Sequence, residues 1–152
     1  MKKIFLLAVV LLILISPTVT KAAANWIWIH SDAYRTIWID NNSIERGDYN
    51  HDFHAYFKTT FSEEGKKSFI SSFRERFQFP REIYNMHEEI VLMFFKKSNG
   101  VKYISDMSRT YYDKNELVIA QYYRNEPDWN SILPDTIGEV QYNATWARVR
   151  GK

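Results

Sequence analysis

The feature that most constrains this chain is a strict two-residue alternation in its first folded stretch. "NWIWIHSDAYRTIWID" runs from Asn25 to Asp40. Successive side chains of a strand point to opposite faces, so Trp26, Trp28 and His30 are expected on one face and Ile27 and Ile29 on the other. Thr36 to Asp40 repeats the alternation, with Trp38 on one face and Ile37 and Ile39 opposite. "SDAY" between the runs reads as a turn, which predicts an antiparallel hairpin with tryptophans on one face and isoleucines on the other. A hairpin that is apolar on both faces is expected to be buried. One face should lie under a helix, and the other should meet more sheet, a loop or a partner.

Period two continues downstream. From His51 to Phe61 the residues Phe53, Ala55, Phe57, Thr59 and Phe61 share one face, and His54, Tyr56, Lys58 and Thr60 share the other. The period changes at Ser62. "SEEGKKSFISSFRERF" sets Phe69, Ile70, Phe73 and Phe77 within roughly 100° of arc at helical spacing. This predicts a helix over 62–78, capped by Ser62, with Glu63 and Glu64 in its first turn and Pro80 beyond its end. Gly65 weighs against it. "IVLMFF", Ile90 to Phe95, is apolar on both parities and predicts a central strand covered on both faces. Asn99-Gly100 suits a two-residue hairpin turn into a strand over 101–112, and "DKNE" turns into another over 117–123.

The chain closes on a helix. Thr136 and Glu139 match a capping box ahead of Ile137 to about Ala147. Ile137, Val140, Ala144 and Ala147 cluster within roughly 80° and form a small face able to lie close on a sheet. Tyr142, Trp146 and Val149 fall nearly opposite and need cover from the 62–78 helix, the 124–134 loop or a second subunit. The fold class is therefore α+β: an antiparallel sheet of about six strands, with the C-terminal helix and an inserted helix packed on it.

The first 24 residues stand apart. Lys2 and Lys3 precede twelve apolar residues, Ile4 to Ile15, and "KAAAN" offers small residues for cleavage, as in a secretory signal peptide. Twelve helical residues reach roughly 18 Å, short of the about 30 Å core of a bilayer, so no stable membrane insertion is expected after cleavage. No cysteine follows the run, which rules out a bacterial lipid anchor. Removing residues 1–24 takes away Lys2, Lys3 and Lys21, leaving 17 basic residues against 18 acidic ones. That balance gives no footprint for nucleic acid. Residues 25–152 are read as a single domain, exported to the periplasm, the cell surface or beyond.

Two blocks carry a family resemblance. "IWIDNNSIERGDY", Ile37 to Tyr49, has an aromatic-x-Asp-x-x-Ser-Ile-x-Arg core, and "DWNSILPDTIGEVQY", Asp128 to Tyr142, has a Trp-x-x-Ile-x-Pro-Asp-Thr-x-Gly-Glu core. "YYD", Tyr111 to Asp113, stands between them ahead of a late strand. In order and spacing the chain resembles the surface-adhesin protein E family of small exported bacterial proteins. The resemblance implies an antiparallel sheet with the C-terminal helix folded onto it, no enzymatic activity, and adhesion to host extracellular proteins. The chain departs from the family pattern in having no cysteine and no lipidation site, and in a longer 62–86 segment. The matching residues are mostly turn, cap and core positions.

No catalytic signature stands out. With no cysteine there is no thiol chemistry, and no serine sits in a G-x-S-x-G turn. Glu88, Glu89, Asp106, Asp113 and Glu116 are expected as exposed charges. His51 and His54 are three apart, which on a strand puts their rings on opposite faces, so no metal or cofactor site is expected. The aromatic surface is what remains. Trp28, Trp38, Tyr112, Tyr122, Tyr142 and Trp146 are the candidate contact residues, for a host or cell-surface protein or for a second copy in a homodimer. The alternative is a periplasmic domain that holds a small apolar or aromatic ligand between sheet and helix.

Overall fold

The computed structural model describes residues 24–48, 51–74 and 78–151. The proposed signal segment up to residue 23, and Phe77 of the expected helix, lie outside the described residues. The fold is α+β, as the alternation predicts. Six main strands follow one another as β1 (Trp26–Ser31), β2 (Arg35–Asp40), β4 (Phe53–Phe61), β5 (Met86–Ser98), β6 (Val101–Asp113) and β7 (Val118–Tyr123), each antiparallel to its neighbour. Two short strands extend the rows: β3 (Glu45–Arg46) pairs with β4, and β8 (Asn130–Ser131) pairs with β6. The β4–β5 connection carries helix α1 (Glu63–Phe73) and a 3-10 helix (Arg81–Asn85), and helix α2 (Ile137–Arg150) ends the described chain.

Local chemistry accounts for the turns. Asp32 Oδ1 accepts from the backbone N–H groups of Tyr34 and Arg35 at 2.7 and 2.9 Å, closing the β1–β2 turn. Asn99 and Gly100 have φ of 51° and 81°, the pair of left-handed residues that a two-residue hairpin needs. Asp113 Oδ1 accepts from Asn115 and Leu117 across the next turn. Ser62 caps α1, its Oγ accepting from Gly65 N–H at 3.1 Å. Thr136 Oγ1 accepts from Glu139 N–H at 3.4 Å, while Glu139 reaches back to the N–H of Asp135 rather than that of Thr136.

Both helices pack on one face of the sheet. Under α2 lie Ile37, Ile39, Phe53, Ala55, Phe57 and Phe95, together with Ile44 of the β2–β3 connection, and Ile27 and Ile29 flank them. Under α1 and the 3-10 helix lie Met86 and Tyr111, packed with Phe69, Ile70 and Ile83. The isoleucine face of the first hairpin is therefore the covered one.

Helix α2 corrects the sequence expectation about its faces. It buries Gln141, Tyr142, Thr145 and Val149, while the small-residue face of Ile137, Val140, Ala144 and Ala147 is not the one buried. The physical reason is ring packing. Tyr142 meets Phe53 and Phe95 edge-on at 5.1 and 5.9 Å between centroids, a gain no alanine face can match. Thr145 is satisfied locally, since its Oγ1 donates to the Gln141 backbone carbonyl at 2.8 Å.

Three further expectations are corrected. "IVLMFF" is covered on one face only, because Ile90, Leu92 and Phe94 stay half-buried on the side away from the helices. His30 leaves the tryptophan row, because a bulge in β1 pairs it with Ile37. Glu88 and Glu89 are buried rather than exposed, and Asp106 is half-buried.

Candidate interaction surface

With the helices on one side, the other face of the sheet has no helix over it among the described residues. Its side chains follow from register. Trp28, Trp38, Lys58, Ile90, Thr110 and Gln121 are successive cross-strand partners, one from each of the six strands. At strand spacings of about 4.8 Å the row spans roughly 24 Å. Tyr56, Leu92, Ser108 and Tyr123 form the next row. Thr36, Thr60, Glu88, Tyr112 and Val118 form the row on the other side.

The tryptophans here are held in place. Trp28, 60% exposed, donates its indole N–H to Ser31 Oγ at 2.9 Å, and Ser31 bonds Thr36 Oγ1 at 3.1 Å. Lys58 Nζ lies 5.0 Å from the ring centroids of both Trp26 and Trp38, a cation clamped between two indoles. Lys96 repeats the device, with Nζ 4.2 Å from Trp129 and 5.5 Å from Tyr103. Tyr123 is 70% exposed and Val118 53%. Burial pushes the Tyr56 hydroxyl pKa up, with a smaller contribution from Tyr123.

The six candidate residues divide. Trp28, Trp38 and Tyr112 come together on the open face. Tyr122 does not: it turns to the covered side, edge-on to Tyr111 and Phe79 at 6.0 and 6.2 Å. Its neighbour Tyr123 takes the outward place, because Ser108 pairs with Tyr123 and Arg109 with Tyr122. Tyr142 is a core residue, 4% exposed, and is removed from any contact surface. Trp146 is exposed on α2, its ring 5.7 Å from Phe53, and so lies on the helix side. Trp26, Tyr56, Lys58 and Tyr123 are members that sequence reasoning missed as contact residues. Strand parity carried the signal for the first three, and the register of β7 was needed for the fourth.

Charged groups gather around Arg109 of β6, on the side that α1 covers. Arg109 Nη1 donates to Glu89 at 2.5 Å and Nη2 to Asp106 at 3.4 Å. Arg124 contacts Asp106 and Asp128 at 3.6 and 3.4 Å. Phe69 and Phe73 of α1 lie over the Arg109 guanidinium at 5.8 and 5.7 Å. Burial alone would lower the Arg109 pKa, but the Glu89 carboxylate, then Tyr111 and Asp106, carry it above its ordinary value. Burial pushes the Tyr111 hydroxyl up strongly. A cavity of about 230 Å³ adjoins this cluster, lined by Asp106, Arg109, Tyr122 and Arg124 among others. A second, of about 240 Å³, lies beside α1 and the 3-10 helix at Ile70, Phe79 and Tyr84.

His51 and His54 are together, not on opposite faces. His51 precedes β4 and folds back, so that its Nε2 is 3.0 Å from His54 Nδ1 and its ring stacks on Phe94 at 3.9 Å. Burial lowers both imidazole pKa values, and for His54 the neighbouring His51 adds to the effect.

Comparison with known proteins returned no match: no protein-family model, no curated protein and no solved structure matches the chain.

Proposed function

We propose that this chain is an exported, non-enzymatic interaction module that docks extracellular or host-surface proteins on the open face of its sheet, the role implied by its resemblance to surface-adhesin protein E. One observation carries the reading: a face about six strands wide holds tryptophans clamped by Lys58 and an exposed Tyr123, and neither helix covers it. Protein contact surfaces concentrate Trp and Tyr at their centres, and side chains already held in place lose little freedom on binding. The charged groups around Arg109 speak for structure rather than catalysis, because Glu89 and Asp106 each face that arginine. The alternative, a small ligand between sheet and helix, has less support. Tyr142, Phe53 and Phe95 fill that interface, and the two cavities are smaller than the about 300 Å³ at which small-molecule sites begin.

The test is binding of the purified protein to immobilised extracellular-matrix proteins. Trp28→Ala and Tyr123→Ala are each expected to weaken binding by roughly 30-fold, the effect of a hot-spot residue near 2 kcal/mol. Binding that is absent, or that both variants retain in full, overturns the proposal. Protease added to intact cells should remove the protein, and its survival there refutes display at the surface. Self-association belongs to the same face, and light scattering at about 100 μM reports it directly.

A further inference from the structure

The sheet ends on an edge that carries no charge. β7 pairs with β6 on one side, and among the described residues no strand pairs with it on the other. From Leu117 to Tyr123 the chain reads "LVIAQYY", without a charged residue or a proline, two of the usual guards of an open strand edge. Its one guard is a bulge at Ile119, where Ala120 pairs with Tyr111 but Val118 with Tyr112. Leu117, Val118 and Tyr123 are 65%, 53% and 70% exposed, so three of the nine exposed large apolar side chains among the described residues fall on this one run. An uncovered main-chain edge with apolar side chains along it is the substrate of strand addition.

The flanks name the partner. "KNE", Lys114 to Glu116, precedes the run and "RNE", Arg124 to Glu126, follows it, and all six residues are exposed. We propose that β7 is a self-complementary docking edge, on which two copies of this chain add their β7 strands antiparallel about Ala120 and join their sheets into one. In that register Lys114 of each copy stands opposite Glu126 of the other, and Glu116 opposite Arg124, so every charge contact is made twice across the twofold axis. Leu117 meets Tyr123, which covers the two most exposed apolar side chains of the run. Arg124 already contacts Asp106 and Asp128 in its own chain, so the Lys114–Glu126 pair does most to set the register. Both copies carry the bulge at Ile119, so the pair keeps its symmetry. Joining β7 to the β1 edge of another copy is disfavoured. Antiparallel, it brings Asp32 toward Glu116, two acids, and the contact repeats without closing. Strand addition lies in the plane of the sheet, so it leaves the open face uncovered and carries it across both copies. It stands independently of what that face binds.

The experiment is analytical ultracentrifugation of the purified protein from about 1 to 100 μM, where a dimer is expected. Lys114→Glu and Glu126→Lys each set like charges together twice per dimer and should weaken association about 10-fold. The double variant exchanges the charges and should return it to the original strength. Val118→Lys puts a charge on the edge and should abolish association, while Trp28→Ala should leave it unchanged. All four positions are exposed, and circular dichroism checks that each variant is folded. A monomer throughout the range overturns the proposal, as do single charge variants that associate like the parent. A double variant no better than the singles refutes the register. Association lost in Trp28→Ala but kept in Val118→Lys would mean that the open faces stack, and overturns the edge.

Discussion

Gly65→Ala tests the account of how α1 is seated. In most exposed helical positions Gly→Ala stabilises by about 1 kcal/mol. Here the sign reverses. A Cβ at position 65 would fall 2.7 Å from the carbonyl carbon of Tyr34 and closer still to its oxygen, and both are backbone atoms of the β1–β2 turn. That same oxygen accepts from Ser62 N–H at 2.9 Å and from Ser62 Oγ at 3.3 Å, and Ser62 Oγ caps Gly65. Relief requires the helix start to lift from the turn. That loses a backbone hydrogen bond worth about 1 kcal/mol and strains a cap worth about 1 kcal/mol. Overpacking adds about 1–3 kcal/mol. Against the alanine gain, the net cost is about 2–4 kcal/mol. Urea denaturation at neutral pH measures it, with exposed Ser71→Ala as the reference, expected to gain a few tenths of a kcal/mol. If Gly65→Ala is neutral or stabilising, the close seating of α1 on Tyr34 is wrong.

Three other outcomes follow from the structure. Glu89→Leu leaves the buried Arg109 guanidinium only its longer contact with Asp106 and should cost about 3 kcal/mol, while adding Arg109→Met should recover most of it; additive losses in urea melts would contradict the pairing. Tyr142→Ala should cost about 3–5 kcal/mol and Trp28→Ala less than about 0.5 kcal/mol, because one ring is in the core and the other in solvent; similar losses would overturn the assignment of faces. The Glu139 carboxyl is held below its ordinary pKa by the Lys102 ammonium at 2.9 Å and then by the Asp135 N–H. A depressed folded pKa means its contribution is complete above the unfolded value and fades as pH falls through the folded one. Carbon-detected titration should show a low midpoint that rises in Lys102→Met, and a midpoint unmoved by that change would contradict the contact.

Much of the fold was legible because its signals are local. Period two marked β1, β2 and β4, Asn99-Gly100 marked the hairpin, and Ser62 and Thr136 marked both helix starts. What was hidden depends on register and on contacts between distant segments. The face that α2 buries was decided by whether Tyr142 could fit between Phe53 and Phe95, which helix periodicity does not encode. A bulge moved His30, and the chain reversal before β4 brought His51 to His54. Gly65 weighed against a helix in the sequence but is the residue that lets the helix dock. Half of the candidate contact set was legible for the same reason. Trp28, Trp38 and Tyr112 follow from strand parity, whereas Tyr122 and Tyr123 could be told apart only by the β6–β7 register.

The strand connections also differ in what they cost to close. β5 and β6 are joined across Asn99 and Gly100 alone, whereas β4 and β5 are separated by residues 62–85, 24 in all. On a logarithmic loop-closure scale that difference is about 2 kcal/mol of chain entropy. The 13-residue strands β5 and β6 thus make a plate that can pair before the rest of the sheet is in place. The amino-terminal strands, with the tryptophans, join it only when the long connection closes. Its α1 then settles across β6 and ties the late-arriving half to the early one.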